Sequence, residues 1–293
     1  MSSEIEVVTV TPELLREWGL PGGGESKYSR GQVLVVGGDA RSPGAAMLAG
    51  TAALRVGAGR LTLAVAASVA PHVAVALPEC GIVALDETEA GHVDGAAVAS
   101  AVARDLEGAD AVLIGPGLDD IDEAAALLGA VAAGAAGGST ILDAYALGAL
   151  SREPALGDGF TGPLILTPNK DEAALLLGRA LGDDLASDAL ELARAFDAVI
   201  ACHGVIADPE GGVWRIGTGA SGLGTSGSGD VLSGAVAGFC ARGVEPARAA
   251  VWASYAHTVA GDRLAVRVGP LGYLAGELLG ELPQVLVEVG MHG

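Results

Sequence analysis

Gly31-Gln-Val-Leu-Val-Val-Gly-Gly-Asp39, then Ser42-Pro-Gly-Ala45 opening an alanine-rich run to Val56, then Arg60-Leu-Thr-Leu-Ala-Val65, is the stretch that decides the fold. It spells strand, glycine turn, helix, strand. Its strands are apolar on consecutive residues rather than alternate ones, as happens when a parallel sheet is covered on both faces. The same alternation continues outward. Strands are expected at Gln32–Val36, Arg60–Val65, Ala111–Ile114, Thr140–Leu142, Leu164–Leu166 and Ala198–Ala201. Helices are expected at Gly44–Val56, Gly95–Glu107, Ile121–Ala133, Lys170–Leu177 and Asp184–Ala195. After residue 200 the pattern changes to a hairpin, Val205–Ala207 with Val213–Ile216, and three helices, Asp230–Ala241, Pro246–Leu264 and Gly272–Leu279. This is an α/β chain with a mainly parallel sheet between two helical layers. Residues 1–28 form a leader with one short helix opened by Thr11-Pro12-Glu13 and closed by Gly22-Gly23-Gly24; residues 29–293 form one domain.

Composition narrows the function. Sixteen basic residues against 36 acidic ones give a net charge of −20, and only Lys27 and Lys170 are lysines. Such a chain is repelled by a phosphate backbone, which argues against nucleic acid as a partner. Mean hydropathy is high at +0.48, yet the longest apolar stretch, Leu61 to Leu77, is interrupted by Pro71 and His72, so no membrane span is expected. The start of the chain has no secretory pattern, and three cysteines without metal spacing suit a reduced cytoplasmic setting. The charge-poor, apolar composition predicts closed self-association, with the small-residue helices Gly44–Val56 and Ile121–Ala133 as the expected faces.

An acidic chain that binds phosphate needs a local backbone site. Gly217-Thr-Gly-Ala-Ser-Gly-Leu-Gly-Thr-Ser-Gly-Ser-Gly-Asp230 runs straight into a helical pattern. Glycines let backbone N–H groups converge, and a helix N-terminus adds about half a positive charge, so no lysine is required. Asp230 stands at the mouth, either as a helix cap or as a base for a substrate hydroxyl. Gly37-Gly38-Asp39 and Gly115-Pro116-Gly117 close strands where a ligand can approach the sheet. Leu166-Thr-Pro-Asn-Lys-Asp-Glu172 joins a strand to a helix. There Thr167 or Asn169 caps, and Asn169 and Glu172 could face a ligand or a magnesium shell; Asp143 ends a further strand. Zinc spacing, a P-loop and a nucleophile elbow are all missing from the sequence.

Taken together, Gly31–Gly38, Gly44-Ala45 with Ala52–Gly59, Ile114-Gly-Pro-Gly117, Leu142–Leu147, Leu166-Thr-Pro-Asn169, Gly224–Gly234 and His257 with Ala260-Gly-Asp262 resemble the stand-alone NAD(P)H-hydrate dehydratases of the ribokinase-like superfamily. The resemblance runs from Ser29 to Leu286. It implies a three-layer α/β/α sandwich without a separate lid domain, and repair of hydrated NADH or NADPH with ADP or ATP as co-substrate and Mg2+. It implies Asp230 as the catalytic and hydroxyl-contacting residue and Ala45, Gly117 and Asn169 along the hydrate pocket. The nucleotide side would comprise His203, Gly204, Thr225, Ser226, Gly227, Ser228 and Gly229, with Glu172 reaching metal through water. A homotetramer is the implied assembly. The chain departs from the family pattern at Asn169, where bacterial members commonly carry histidine, at Tyr145 in Asp143-Ala-Tyr145, and at the shortened Cys202-His203-Gly204. Two other readings use the same residues: a small-molecule kinase that keeps the phosphate on its product, and a nucleotide-binding protein without turnover.

Overall fold

The computed structural model describes residues 5–22, 24, 26–132, 134, 137–217 and 221–290. Gly23 of the leader, Ala133 at the end of a predicted helix, and Thr218, Gly219 and Ala220 of the glycine-rich run lie outside them. The elements begin with strand β1 (Val8–Val10) and helix α1 (Pro12–Trp18), then β2 (Gln32–Val36), α2 (Pro43–Arg55), β3 (Arg60–Ala66), α3 (Ala70–Ala76), β4 (Gly81–Leu85) and α4 (Gly95–Gly108). They continue with β5 (Ala111–Ile114), α5 (Ile121–Ala132), β6 (Ser139–Leu142), α6 (Tyr145–Arg152), β7 (Leu164–Leu166), α7 (Lys170–Leu177), α8 (Leu185–Phe196) and β8 (Ala198–Cys202). The last are β9 (Val205–Ala207), β10 (Val213–Ile216), α9 (Ser228–Ala241), α10 (Pro246–Arg267) and α11 (Ala275–Val289).

Among the described residues ten strands form one sheet in the order β1-β10-β9-β8-β7-β6-β5-β2-β3-β4. Every neighbouring pair is parallel except β8 with β9 and β9 with β10. Because successive side chains of a strand point to opposite faces, Val33 and Val35 enter the core beneath α2, α9, α10 and α11, while Leu34 and Val36 enter the core beneath α4 to α8. Both faces are therefore dry, which accounts for strands apolar throughout. The three-layer architecture expected from the sequence is present.

Four elements were not legible. Val8–Val10, in the stretch taken as a loosely patterned leader, lies parallel to β10 at the sheet edge. The continuous apolar run from Leu61 hides a boundary: it is β3 followed by α3, and Pro71 occupies the helix's first turn, where its missing N–H costs nothing. β4 and α6 also went unread. Boundaries moved by more than one residue at α9, α10 and α11, with α10 running to Arg267 rather than Leu264. α9 begins at Ser228 rather than Asp230, and α11 begins at Ala275 and runs to Val289. The expected cap at Thr11 is present, its hydroxyl accepting the Leu14 N–H at 3.3 Å.

The small-residue helices are committed inside the subunit. A Cβ built on Gly234 of α9 would fall 2.0 Å from the Ala49 carbonyl oxygen of α2, and one on Gly238 2.6 Å from that of Ala53. Only glycine allows that approach. Ala46, Ala49, Ala52 and Ala53 of α2 are buried, as are Ala124, Leu127, Leu128 and Val131 of α5. These stripes are core faces, and their close approach serves packing within the subunit.

Candidate active site

In chain order the sheet grows from β2 through β3 to β4, then returns to β5 on the other side of β2 and proceeds through β6, β7 and β8. The reversal lies between β2 and β5, and ligands of open parallel sheets bind outside the carboxyl ends of strands at such a point. The two glycine turns read from the sequence meet there. Gly38 N–H donates to the Pro116 carbonyl and Asp39 N–H to that of Gly117, each at 2.9 Å. Gly117 has φ +77°, and a Cβ on it would lie 2.3 Å from the Ser42 carbonyl oxygen and 3.2 Å from the Ala45 Cβ. Ala45 and Gly117 thus share one wall.

The neighbouring strand ends carry carboxylates. Asp143 follows β6, and a Cβ on Gly115 would collide with its carbonyl oxygen at 1.9 Å. Its carboxyl group is buried, which raises its pKa against the opposite pull of the nearby Ser233 and Thr167 hydroxyls and the Ala144 N–H. Ala144 itself has φ 50°, a conformation costing a non-glycine residue about 1–2 kcal/mol; strain of this kind collects where a site dictates the backbone. After β7, Asn169 rather than Thr167 caps α7. Its side-chain oxygen accepts the N–H of Asp171 at 2.8 Å and of Glu172 at 2.9 Å, while Glu172 accepts the Asn169 N–H at 2.8 Å. The capping box occupies the Asn169 oxygen and leaves the amide NH2 as its donor. Burial lifts Glu172 to about 7 despite that N–H, with the charges of Asp143 and Asp171 adding to the rise.

Asp230 faces this group from α9. The cap of α9 is Gly227, in a left-handed conformation and without a side-chain hydrogen bond to the first turn. An N-terminus without a capping side chain, with the helix dipole behind it, is where the anion hole expected from the glycine run would lie. Asp230 is the third residue of the helix, so it is not the cap. Its pKa is pushed up to about 7, first by burial and then by the charge of Asp143. A carboxyl group held near neutrality beside an anion hole has the properties of a general base.

The glycines divide by role. Gly227 has φ +88°, and a Cβ on it would meet Leu48 Cδ1 at 2.6 Å; a Cβ on Gly229 would meet nothing within 4 Å. Gly227 is needed by the fold, and Gly229 leaves open space in front of the helix. Ser228 is buried, with its hydroxyl 2.9 Å from Nε2 of His257. Burial pulls His257 down to about 4, so this histidine is neutral near pH 7. Thr225 anchors the turn by accepting the Ser228 N–H at 3.2 Å, and Ser226 is exposed beside it.

His203 and Gly204 form the two-residue turn between β8 and β9, with φ of 47° and 79°. Two successive positive values mark the tight hairpin turn that matches strand twist. Ile216, the last residue before the glycine-rich run, donates its N–H to the Gly204 carbonyl at 2.8 Å. The shortened segment thus borders the run's entrance, and burial, followed by the positive charge of Lys170, lowers the pKa of His203. The buried histidine beside Ser228 and the strained Ala144 were not assigned roles from the sequence. Their signals are contacts between distant segments.

With this geometry in place, comparison with known proteins is decisive. The sequence profile of a family described as NAD(P)H-hydrate dehydratase matches residues 33–284. The chain belongs to that family. A relative in Xanthomonas campestris pv. campestris, named an ADP-dependent (S)-NAD(P)H-hydrate dehydratase, is 44% identical over 286 residues, covering 96% of each chain. A bifunctional NAD(P)H-hydrate repair enzyme of Moorella thermoacetica is 40% identical over 87% of this chain, which spans 49% of that longer protein. Among solved structures, the ADP/ATP-dependent NAD(P)H-hydrate dehydratase of Bacillus subtilis, co-crystallized with ATP/Mg2+, superposes with a TM-score of 0.81 at 28% identity, over 98% of this chain and all of the other. A tetrameric inhibited form of phosphofructokinase-2 from Escherichia coli shares the fold, with a TM-score of 0.58 at 14% identity, over 87% of this chain and 99% of that one.

Proposed function

We propose that this dehydratase-family chain restores NADH and NADPH from their S hydrates (NADHX and NADPHX), with ADP, or ATP, as phosphoryl donor. The observation that carries the reading is Asp230, a half-buried carboxyl group with a pKa of about 7 in the first turn of a helix whose N-terminus is left open. Asp230 accepts the proton of the ring hydroxyl while the first turn of α9, with Thr225, Ser226, Gly227, Ser228 and Gly229, holds the phosphoryl group in transit. Hydroxide is a poor leaving group and phosphate a good one. Once the phosphate ester has formed, the ring nitrogen lone pair expels it, and loss of the neighbouring ring proton completes the dihydropyridine. With ADP the products are NAD(P)H, AMP and phosphate. The protein contributes position and charge stabilisation.

Ala45, Gly117 and the Asn169 amide line the hydrate side in this reading, and His203 and Gly204 border the nucleotide. Asp143, Glu172 and Asp230 offer oxygen donors alone, which suits Mg2+; burial raises all three pKa values, and the charge of Asp143 adds to the rise at Glu172 and Asp230, a cost that a cation would relieve. Bound there, with Glu172 acting through water, Mg2+ would offset phosphate charge. Residues 29–293 carry this chemistry as one unit, to which the leader adds an edge strand.

No helix among the described residues is long and apolar enough to cross a membrane. We place the enzyme in the cytoplasm as a homo-oligomer, with a tetramer as the expected assembly. Val266, Leu271 and Leu274, at 91, 87 and 68% exposure around the α10–α11 connection, supply apolar surface for association.

The test incubates purified protein with NADHX, Mg2+, and either ADP or ATP, and follows the near-ultraviolet absorbance of the reduced nicotinamide. Nucleotide-dependent recovery is expected with at least one donor. Accumulation of a stable phosphorylated product would indicate a kinase, and nucleotide binding without recovery a non-catalytic relative.

A further inference from the structure

Asp39, 1% exposed, adjoins the wall formed by Gly38, Ala45 and Gly117, its backbone N–H donating to the Gly117 carbonyl. One of its oxygens accepts the Val93 N–H at 2.7 Å, and the other accepts the Asp119 N–H at 2.9 Å. Nδ1 of His92 lies 3.6 Å from that second oxygen and hydrogen-bonds the Asp119 carboxylate. His92 is itself held in a turn, its N–H donating to the Thr88 hydroxyl at 3.3 Å and its carbonyl accepting the Thr88 N–H at 2.8 Å. Ala40 N–H also reaches across to the Gly91 carbonyl at 3.3 Å. Three loops, after β2, β4 and β5, are tied at one point directly behind the wall, and no step of the proposed reaction uses it.

We propose that His92, by bridging Asp39 and Asp119, is a positioning residue that holds the Gly38–Ala45–Gly117 wall in the shape that accepts the hydrated nicotinamide ring. The inference rests on that wall being the hydrate side of the pocket. The hydrogen bond to Asp119, followed by the charges of Asp119, Asp39 and Asp120, raises the pKa of His92 against desolvation. Burial, reinforced by Asp119, lifts Asp39 to about 6, whereas hydrogen bonding to Asp39 and to His92, with the charge of Arg41, lowers Asp119. Three other acidic groups around these loops have partners of their own. Glu87 accepts from Ser68, Asp94 caps α4 at the Ala97 N–H, and Glu123 accepts the Gly95 N–H. As pH rises through the raised value of His92, its positive charge is lost and the two carboxylates confront each other. The bridge therefore holds on the acid side of that value and loosens above it.

The experiment compares wild type, His92→Ala and His92→Gln. For His92→Ala, KM for NADHX should rise about tenfold, the scale of one charge-assisted hydrogen bond, with kcat and the nucleotide KM little changed. In wild type, KM for NADHX should climb on the alkaline side of neutrality. His92→Gln, a donor that does not titrate, should recover part of the affinity and lose that climb. Equal effects on both KM values, or an unaltered KM and pH profile, would overturn the proposal. So would a stoichiometric metal ion in wild type that His92→Ala lacks. Hydrogen exchange of the 37–42 and 115–120 amides separates this idea from the catalytic reading, since faster exchange in His92→Ala is expected whether or not the protein turns over NADHX. Unchanged exchange would sink the bridge alone.

Discussion

Two acidic clusters stand behind the same crevice and differ in one respect. Asp39 and Asp119 have a histidine between them, and their pKa values split, one up and one down. Asp143, Glu172 and Asp230 are all pushed up, each first by burial. A cluster containing its own cation is electrostatically complete and serves as scaffold. A cluster lacking one is complete only when protons, a metal or a reacting hydroxyl arrive, and that is the cluster to which the proposed reaction assigns the chemistry.

The sharpest way to break the contrast is Asp230→Asn. It keeps size and helix position but accepts no proton, so kcat should fall at least about 10²-fold, with the fold intact by circular dichroism. Near-wild-type turnover would remove Asp230 from the chemistry. Next in size is the glycine pair. Gly229→Val puts bulk into open space before the helix, so nucleotide affinity should drop at least about tenfold, with little change in apo stability beyond the weak helix propensity of valine. Gly227→Ala should destabilise even the ligand-free protein, because it combines a left-handed backbone with a contact against Leu48. Equal behaviour of the two variants in thermal melts and nucleotide titrations would contradict the assignment.

That glycine result also shows where sequence reading stops. The run to Asp230 was legible because repeated glycines before an apolar helix have few other uses. It did not reveal that Gly227 packs against Leu48 while Gly229 faces open space, since that division depends on another helix. The Asn169–Glu172 box was legible because its partners are three residues apart. The Asp39–His92–Asp119 bridge was not, because Asp119 donates to Asp39 across 80 residues and His92 reaches Asp119 across 27. In the fold, β2, β5 and β7 announced themselves by apolar runs between glycines or prolines. β1 is only three residues long, and β4 is an edge strand of mixed exposure. For α6, the strained Ala144 replaces any capping side chain that could have signalled a start.

A smaller effect sharpens the comparison through pH. With Asp230 at about 7, kcat/KM should rise with pH and level off above neutrality, as the free enzyme loses the proton that blocks its base. Because the Asp143 charge contributes to that value, Asp143→Asn should move the acid limb toward lower pH and raise relative activity at pH 6 a few-fold. A limb that does not move would show Asp143 to be uncoupled from Asp230.

Stability supplies the smallest effect, and it separates the clusters by pH window. Asp230 and Glu172, which ordinarily titrate at 3.8 and 4.5, lie at about 7 when folded. Between those limits the folded chain binds more protons than the unfolded one, so stability falls as pH rises from about 4 to about 7. Both groups retain contact with solvent, which reduces the effect to roughly 1 kcal/mol. His92 is raised from 6.5. Its contribution is fully present below 6.5 and is lost as pH climbs through the higher folded value. Removing Asp230 and Glu172 charge with the double variant Asp230→Asn, Glu172→Gln should therefore lessen the fall of the urea midpoint between about pH 4 and 7, leaving the part that Asp39 contributes at about 6 and the decline above pH 7. His92→Gln should flatten the upper part alone. If both variants flattened the same window, the two clusters would be one titrating unit, and the distinction between scaffold and reactive carboxylates would not hold.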